Sequence, residues 1–215
     1  MGLDIFVMPM WRFLSGEYTG PVERLIPNVI RVGGQKMDLA PELARKKVAS
    51  FQKVLSQVTD SDISWPDEGE VVFERQFNFR LWHLLRAYAA HQDHPVRAGL
   101  LRRSQPFTIS DEPECHPGLA RIFDGAPTRF KHLIVHADNE GFYFPCKLEH
   151  PMPLLPAEER WLTGSSIHLL DELSLLGQSL RHESDTLKDV RDAWEFMVKA
   201  AKASVDHRLP IVFDG

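Results

Sequence analysis

Two short apolar runs, Leu3 to Met8 near one end and Pro210 to Phe213 near the other, bracket four segments of helical periodicity. The first run is short and stopped by Pro9, as a buried strand would be. Ala44, Val48, Phe51, Leu55 and Val58 recur at spacings of four and three, which predicts a helix over 39–58. Asp38 is placed to cap it, and Pro41 is tolerated in its first turn. Phe77, Leu81, Leu84, Leu85 and Tyr88 mark a second helix over 77–91, ended by Pro95. Leu169, Leu173, Leu176 and Leu180 mark a third over 165–180, with Ser165 or Ser166 as N-cap. Leu187, Val190, Trp194, Met197, Ala201 and Val205 mark a fourth over 186–206. Brief strands are expected at 29–32 and 71–73. Strands at both ends and in the middle, with helices between them, predict an α+β fold. Its 215 residues suit a single domain over 1–215, with a small mixed or antiparallel sheet packed against several helices.

The middle of the chain carries the densest chemistry. His136-Ala-Asp138-Asn-Glu140-Gly141-Phe142-Tyr143-Phe144-Pro145 holds a histidine, two carboxylates, a turn glycine and three aromatics. Asp138 to Gly141 between two β-prone runs predicts a hairpin over 130–148. In that register Leu133, Val135, Phe142, Phe144 and Cys146 share a core-facing side, while His132, His136 and Tyr143 share a mixed, open one. His136 and Tyr143 then become cross-strand neighbours, with Asp138 and Glu140 in the adjacent loop.

Charge and cysteine content narrow the function. The net charge of −5 gives no basic field for gathering phosphates, so nucleic acid is set aside as a partner. Residues Thr59 to Glu70 read as an acidic loop. Two cysteines, Cys115 and Cys146, are too few for a disulfide scaffold, and free thiols fit a reducing cytoplasm. The N-terminal run lacks a basic region and is interrupted by Asp4 and Pro9, unlike a signal peptide. No run approaches membrane-spanning length, so no membrane partner is expected.

His136, Asp138, Glu140 and Tyr143 are the candidate ligand-binding residues. Imidazole and carboxylates at one turn suit a divalent metal or acid–base work. Further metal ligands would come from elsewhere, with His83, His132, and Cys115 or His116 as candidates. His83, His91 and His94 fall on a sector opposite the apolar stripe of their helix, where a solvated polar face is the plainer reading. Residues 104–128 hold four prolines and read as a long connection with a short helix at 118–123. Gly33-Gly34 and Gly164-Ser165-Ser166 complete no phosphate-binding fingerprint.

The opening Met-Gly-Leu-Asp, the His136 block, Gly164-Ser-Ser with Leu169-Leu-Asp-Glu-Leu173, and the closing Leu209-Pro-Ile-Val-Phe-Asp-Gly215 together resemble a family of uncharacterised bacterial proteins. The central block there reads His-Ser-Asp-Cys-Glu-Gly-Tyr-Tyr-x-Pro, and this chain departs from it at Ala137, Asn139 and Phe142. The resemblance implies a small soluble bacterial protein and brings no known activity. The chain is therefore expected to be a non-enzymatic binding protein of accessory or immunity type, with a protein partner or a second copy of itself. The alternative is a metal-dependent hydrolase centred on His136, Asp138 and Glu140, so whether the chain is an enzyme stays open.

Overall fold

The computed structural model describes residues 2–18, 39–98, 103–136, 140–153, 161–181, 183 and 185–215. The strand expected at 29–32, the Gly33-Gly34 pair and the Asp38 cap lie outside them. The expected α+β architecture is observed. Six strands form one sheet: β1 (Gly2–Val7), β2 (Phe73–Asn78), β5 (Glu140–Phe144), β6 (Met152–Pro153), β7 (Leu162–Ser165) and β8 (Ile211–Asp214). Their order is β2-β1-β8-β5-β7-β6. Only the β5–β7 pair is parallel, so the sheet is mixed. A separate two-residue ribbon joins β3 (Arg97–Ala98) to β4 (Arg103–Ser104).

Period-two alternation divides the central strands between two cores. Leu3, Ile5, Val7, Tyr143, Ile211 and Phe213 face one side, against the helices Phe79–Asp93, Ser166–Leu180 and Lys188–His207. Phe6, Phe142, Phe144 and Val212 face the other, with Trp11, Val48, Phe51, Ile63 and Trp65. Both faces of β1, β5 and β8 are covered, which is why these strands read as nearly continuous apolar runs. The buried stripe Ala44, Val48, Phe51 and Leu55 lies as expected on the helix Pro41–Thr59, while Val58 is exposed. A helix at Met10–Ser15 was not anticipated. It is one and a half turns long, too short to show a period.

The hairpin expected at 130–148 is corrected. Lys131–Ile134 is a short helix, not a strand. Phe130, Leu133 and Ile134 are buried at helical spacing of three and four. The free N–H groups of His132 and Leu133 donate to the two carboxylate oxygens of Glu172, at 2.9 and 2.8 Å. This buried acceptor outweighs the β-propensity of the sequence. Strand β5 pairs instead with β7 and β8, placing Phe142 opposite Thr163 and Val212. Cys146 is buried as anticipated, and burial raises its thiol pKa to about 12.

The helix Phe79–Asp93 also differs from its expected character. Asn78 caps it by accepting from the N–H of Arg80 at 2.9 Å. Every residue from Trp82 to His91 is buried, including His83 and His91. Within the sector read as solvated, His91 is covered by Phe107 and His116 of the segment 104–123, and the Phe79 ring packs on His83. The short helix in that segment runs from Pro117 to Phe123.

Candidate functional site

Among the expected site residues, His136 and Tyr143 do lie side by side, with ring centroids 3.9 Å apart and planes 16° from parallel. They do not face solvent: His136 is 1% exposed and Tyr143 0%. The Nε2 of His136 donates to the carbonyl of Phe142 at 3.0 Å, which fixes its tautomer because a carbonyl only accepts. The hydroxyl of Tyr143 donates to the carbonyl of His132 at 2.9 Å, and burial raises its pKa well above the ordinary value. Gly141 has φ +136°, and a Cβ there would meet His136 Cε1 at 2.8 Å. Gly164 lies as close on the other side, where a Cβ would stand 2.6 Å from Tyr143 Cδ1. Two glycines therefore clamp the His136–Tyr143 stack.

The stack continues into a larger buried polar cluster. His132 Nδ1 accepts from the N–H of Ser165 at 3.0 Å. Burial first, then His168 and His136, lowers the His132 pKa to about 4. Burial raises Glu172 to about 7 in spite of its backbone hydrogen bonds. Arg86 is buried and donates to the carbonyl of Ile134 at 2.6 Å, with its pKa lowered by burial to about 10. Every one of these groups braces a turn, a helix end or a strand.

Among the described residues the expected metal set is not brought together. Glu140 is half-buried at the start of β5, His83 sits on the Phe79–Asp93 helix, and Asp138 lies outside the described residues. Among the described residues no three of His, Cys, Asp and Glu are grouped as metal ligands. Cys115 is exposed, and His116 beside it caps the Pro117–Phe123 helix through Nδ1.

The exposed chemistry lies elsewhere. Between Val54 and Glu74 there are six carboxylates, Asp60, Asp62, Asp67, Glu68, Glu70 and Glu74, and no Lys or Arg. That stretch nets −6 against −5 for the whole chain, so the remaining residues together net +1. Asp60, Asp62, Asp67, Glu68 and Glu70 are all exposed, and among the described residues none of the five forms an ion pair through its carboxylate. Their backbone is nonetheless pinned. Ile63 and Trp65 are buried between them, and Trp65 stacks on Phe144 with centroids 4.8 Å apart. The N–H of Ile63 donates to Ser56 Oγ at 2.9 Å, Arg208 donates to the Ser64 carbonyl at 2.8 Å, and Trp11 donates to the Asp67 carbonyl. In sequence the stretch reads as an acidic loop, and its signal as a site is the unbroken absence of cations over 21 residues.

No helix among the described residues is long and apolar enough to cross a membrane. No curated protein and no solved structure matches the chain. One family model does, over residues 1–213, and it is described as "Putative DNA-mimic protein". That finding corrects the expected function and the expected partners. A DNA mimic acts on proteins that bind DNA, so the metal-dependent hydrolase is overturned, and so is the accessory or immunity-type label. The expected partners are corrected as well: the family points to proteins that bind nucleic acid, and the net negative charge that argued against binding DNA is the sign needed to imitate it. With the match running along almost its full length, the chain belongs to this DNA-mimic family.

Proposed function

We propose that the chain occupies the DNA-binding surface of a protein partner, and that the acidic stretch 60–70 stands in for a run of phosphates. The carrying observation is the set of exposed carboxylates Asp60, Asp62, Asp67, Glu68 and Glu70, without ion pairs among the described residues, on a backbone held by Ile63 and Trp65. Duplex DNA carries one negative charge per roughly 1.7 Å, and proteins that bind it present Lys and Arg to that array. Carboxylates fixed in advance meet such a surface without the entropy cost of ordering a loose acidic tail. The chain as a whole is only mildly acidic, which confines the imitation to one patch. Carboxylates reproduce phosphate contacts and not base edges, so the fitting partner is one that grips the DNA backbone.

Displacement tests this reading. Proteins retained on immobilised duplex DNA are challenged with the purified chain, and any displaced protein is titrated with it. The wild type is expected to release a defined protein and bind it directly, without binding duplex DNA. Binding should weaken with salt, but less steeply than the same partner's binding to DNA, which sheds condensed counterions. Replacing Asp60, Asp62 and Asp67 with Asn, and Glu68 and Glu70 with Gln, should weaken the complex by about 100-fold or more. Failure to release any protein, direct binding to DNA, or equal affinity of the variant overturns it.

A further inference from the structure

The segment Arg103–Phe123 lies across the Phe79–Asp93 helix along a seam of histidines. His83 and His91 come from the helix, 8% and 7% exposed, and His116 comes from the segment. The His91 ring is 5.5 Å from His116 and 5.4 Å from Phe107, and Phe107 is 5.8 Å from His116. His116 Nδ1 accepts from the N–H of Gly118 at 3.0 Å, so this cap requires an unprotonated nitrogen. The two surfaces are close at one end, where a Cβ on Gly118 would meet the Ala90 carbonyl oxygen at 3.0 Å. At the other end a half-open cleft of about 160 Å³ is lined by Ala87 and by Phe107, Cys115 and His116. Beyond the segment, Gly125 has φ +98° and open space around it, which suits a pivot.

We propose that Arg103–Phe123 is an acid-released flap, held on the helix while His91 and His116 are neutral and freed when both take up protons. Two imidazolium rings this close, that of His91 buried and that of His116 half-buried, repel each other, and protonation at Nδ1 removes the Gly118 cap. The charged groups that face them are few. Glu183 and the backbone of Gln105 favour the charged form of His91, while His116 is opposed by His91 itself. His83 nearby is opposed by Arg86 and favoured by Glu114, and Tyr88 donates to Glu183 at 3.5 Å.

The titrations run in the required direction. Burial, then His91, lowers His116 from 6.5 to about 4, and burial also lowers His91. A histidine whose pKa is depressed when docked binds more protons when released. Docking therefore weakens as pH falls from 6.5 towards 4, and holds steady above that window. For His116 alone the opening constant should rise about thirtyfold between pH 8 and pH 5, and His91 adds in the same direction.

Hydrogen exchange on the intact chain, corrected for intrinsic rates, tests the flap. Between pH 8 and pH 5 the protection of amides 105–123 is expected to fall about thirtyfold or more, while amides in β1 and β8 keep theirs. The double variant His91→Gln, His116→Asn should lose this pH dependence, since Asn at 116 can still cap Gly118. Flap and sheet losing protection together, or acid release persisting in the double variant, overturns the proposal. The wild-type comparison needs no substitution, so it decides the matter even if the double variant does not fold.

Discussion

The His136–Tyr143 stack and the stretch 60–70 sit on opposite faces of strand β5. On one side of β5, Tyr143 stacks on His136 within a buried polar cluster. On the other, Phe144 stacks on Trp65 beneath a row of exposed carboxylates. The first region has the residues of an active site and the burial of a core. The second has chemically plain residues, exposed to a partner. Burial separates the two roles. A buried imidazole or carboxylate must be satisfied by the fold, which takes up its hydrogen bonds, whereas an exposed carboxylate keeps its charge for a ligand.

The largest test of that contrast is Gly141→Ala. The new Cβ would be forced into positive φ and against both the Leu162 carbonyl and the His136 ring. Strain and overpacking together should cost about 3–4 kcal/mol, read as a shift of the urea midpoint. Partner affinity per folded molecule should not change. A drop in affinity at full stability would show that the polar cluster is a binding site after all.

Trp65→Ala sharpens the contrast from the other side, because Trp65 serves both regions. Removing a ring that is 6% exposed and stacked on Phe144 should cost about 3 kcal/mol. Here affinity should fall as well, although every carboxylate remains, since the row would no longer be fixed in place. Stability loss without affinity loss would mean that the carboxylates act as a diffuse charge, with no need of a pinned backbone.

The sequence made the fold class legible because amphipathic stripes and short apolar strands are local patterns. The stripes at Ala44–Leu55 and Leu169–Leu180 lie where their spacing placed them. The errors came from partners distant in sequence. The run at Leu133 to Val135 reads as strand until Glu172, some forty residues away, supplies acceptors for a helix start. His91 reads as solvated until Phe107 and His116 of the segment 104–123 cover it. The His136–Tyr143 adjacency was foreseen from a wrong hairpin, and its burial was not, since nothing local reveals that both faces of β5 are covered. The candidate site was sought where residue types are rare. The exposed carboxylates are common residues, distinguished only by the cations missing among them.

The smallest predicted effect isolates the polar cluster by pH. Glu172 is raised to about 7 from 4.5, so the folded state holds its proton where the unfolded state has lost it. Its contribution to stability is present in full below pH 4.5 and is lost as pH rises through 7. His132 works in the opposite sense, lowered from 6.5 to about 4, and its contribution is lost as pH falls through that interval. The two nearly offset each other in wild type between pH 4.5 and 6.5. Glu172→Gln removes the first and leaves the second. Relative to wild type, the variant should therefore gain on the order of 2 kcal/mol as pH rises from 4.5 to 7.5, measured by denaturant titration at each pH. The loss of one of the two carboxylate acceptors at His132 and Leu133 sets a constant offset and leaves that slope intact. A flat difference between the two curves would place Glu172 in contact with solvent and reopen its cleft to ligands. A slope of the stated sign, with partner affinity unmoved, keeps titration in the interior and recognition on the carboxylate row.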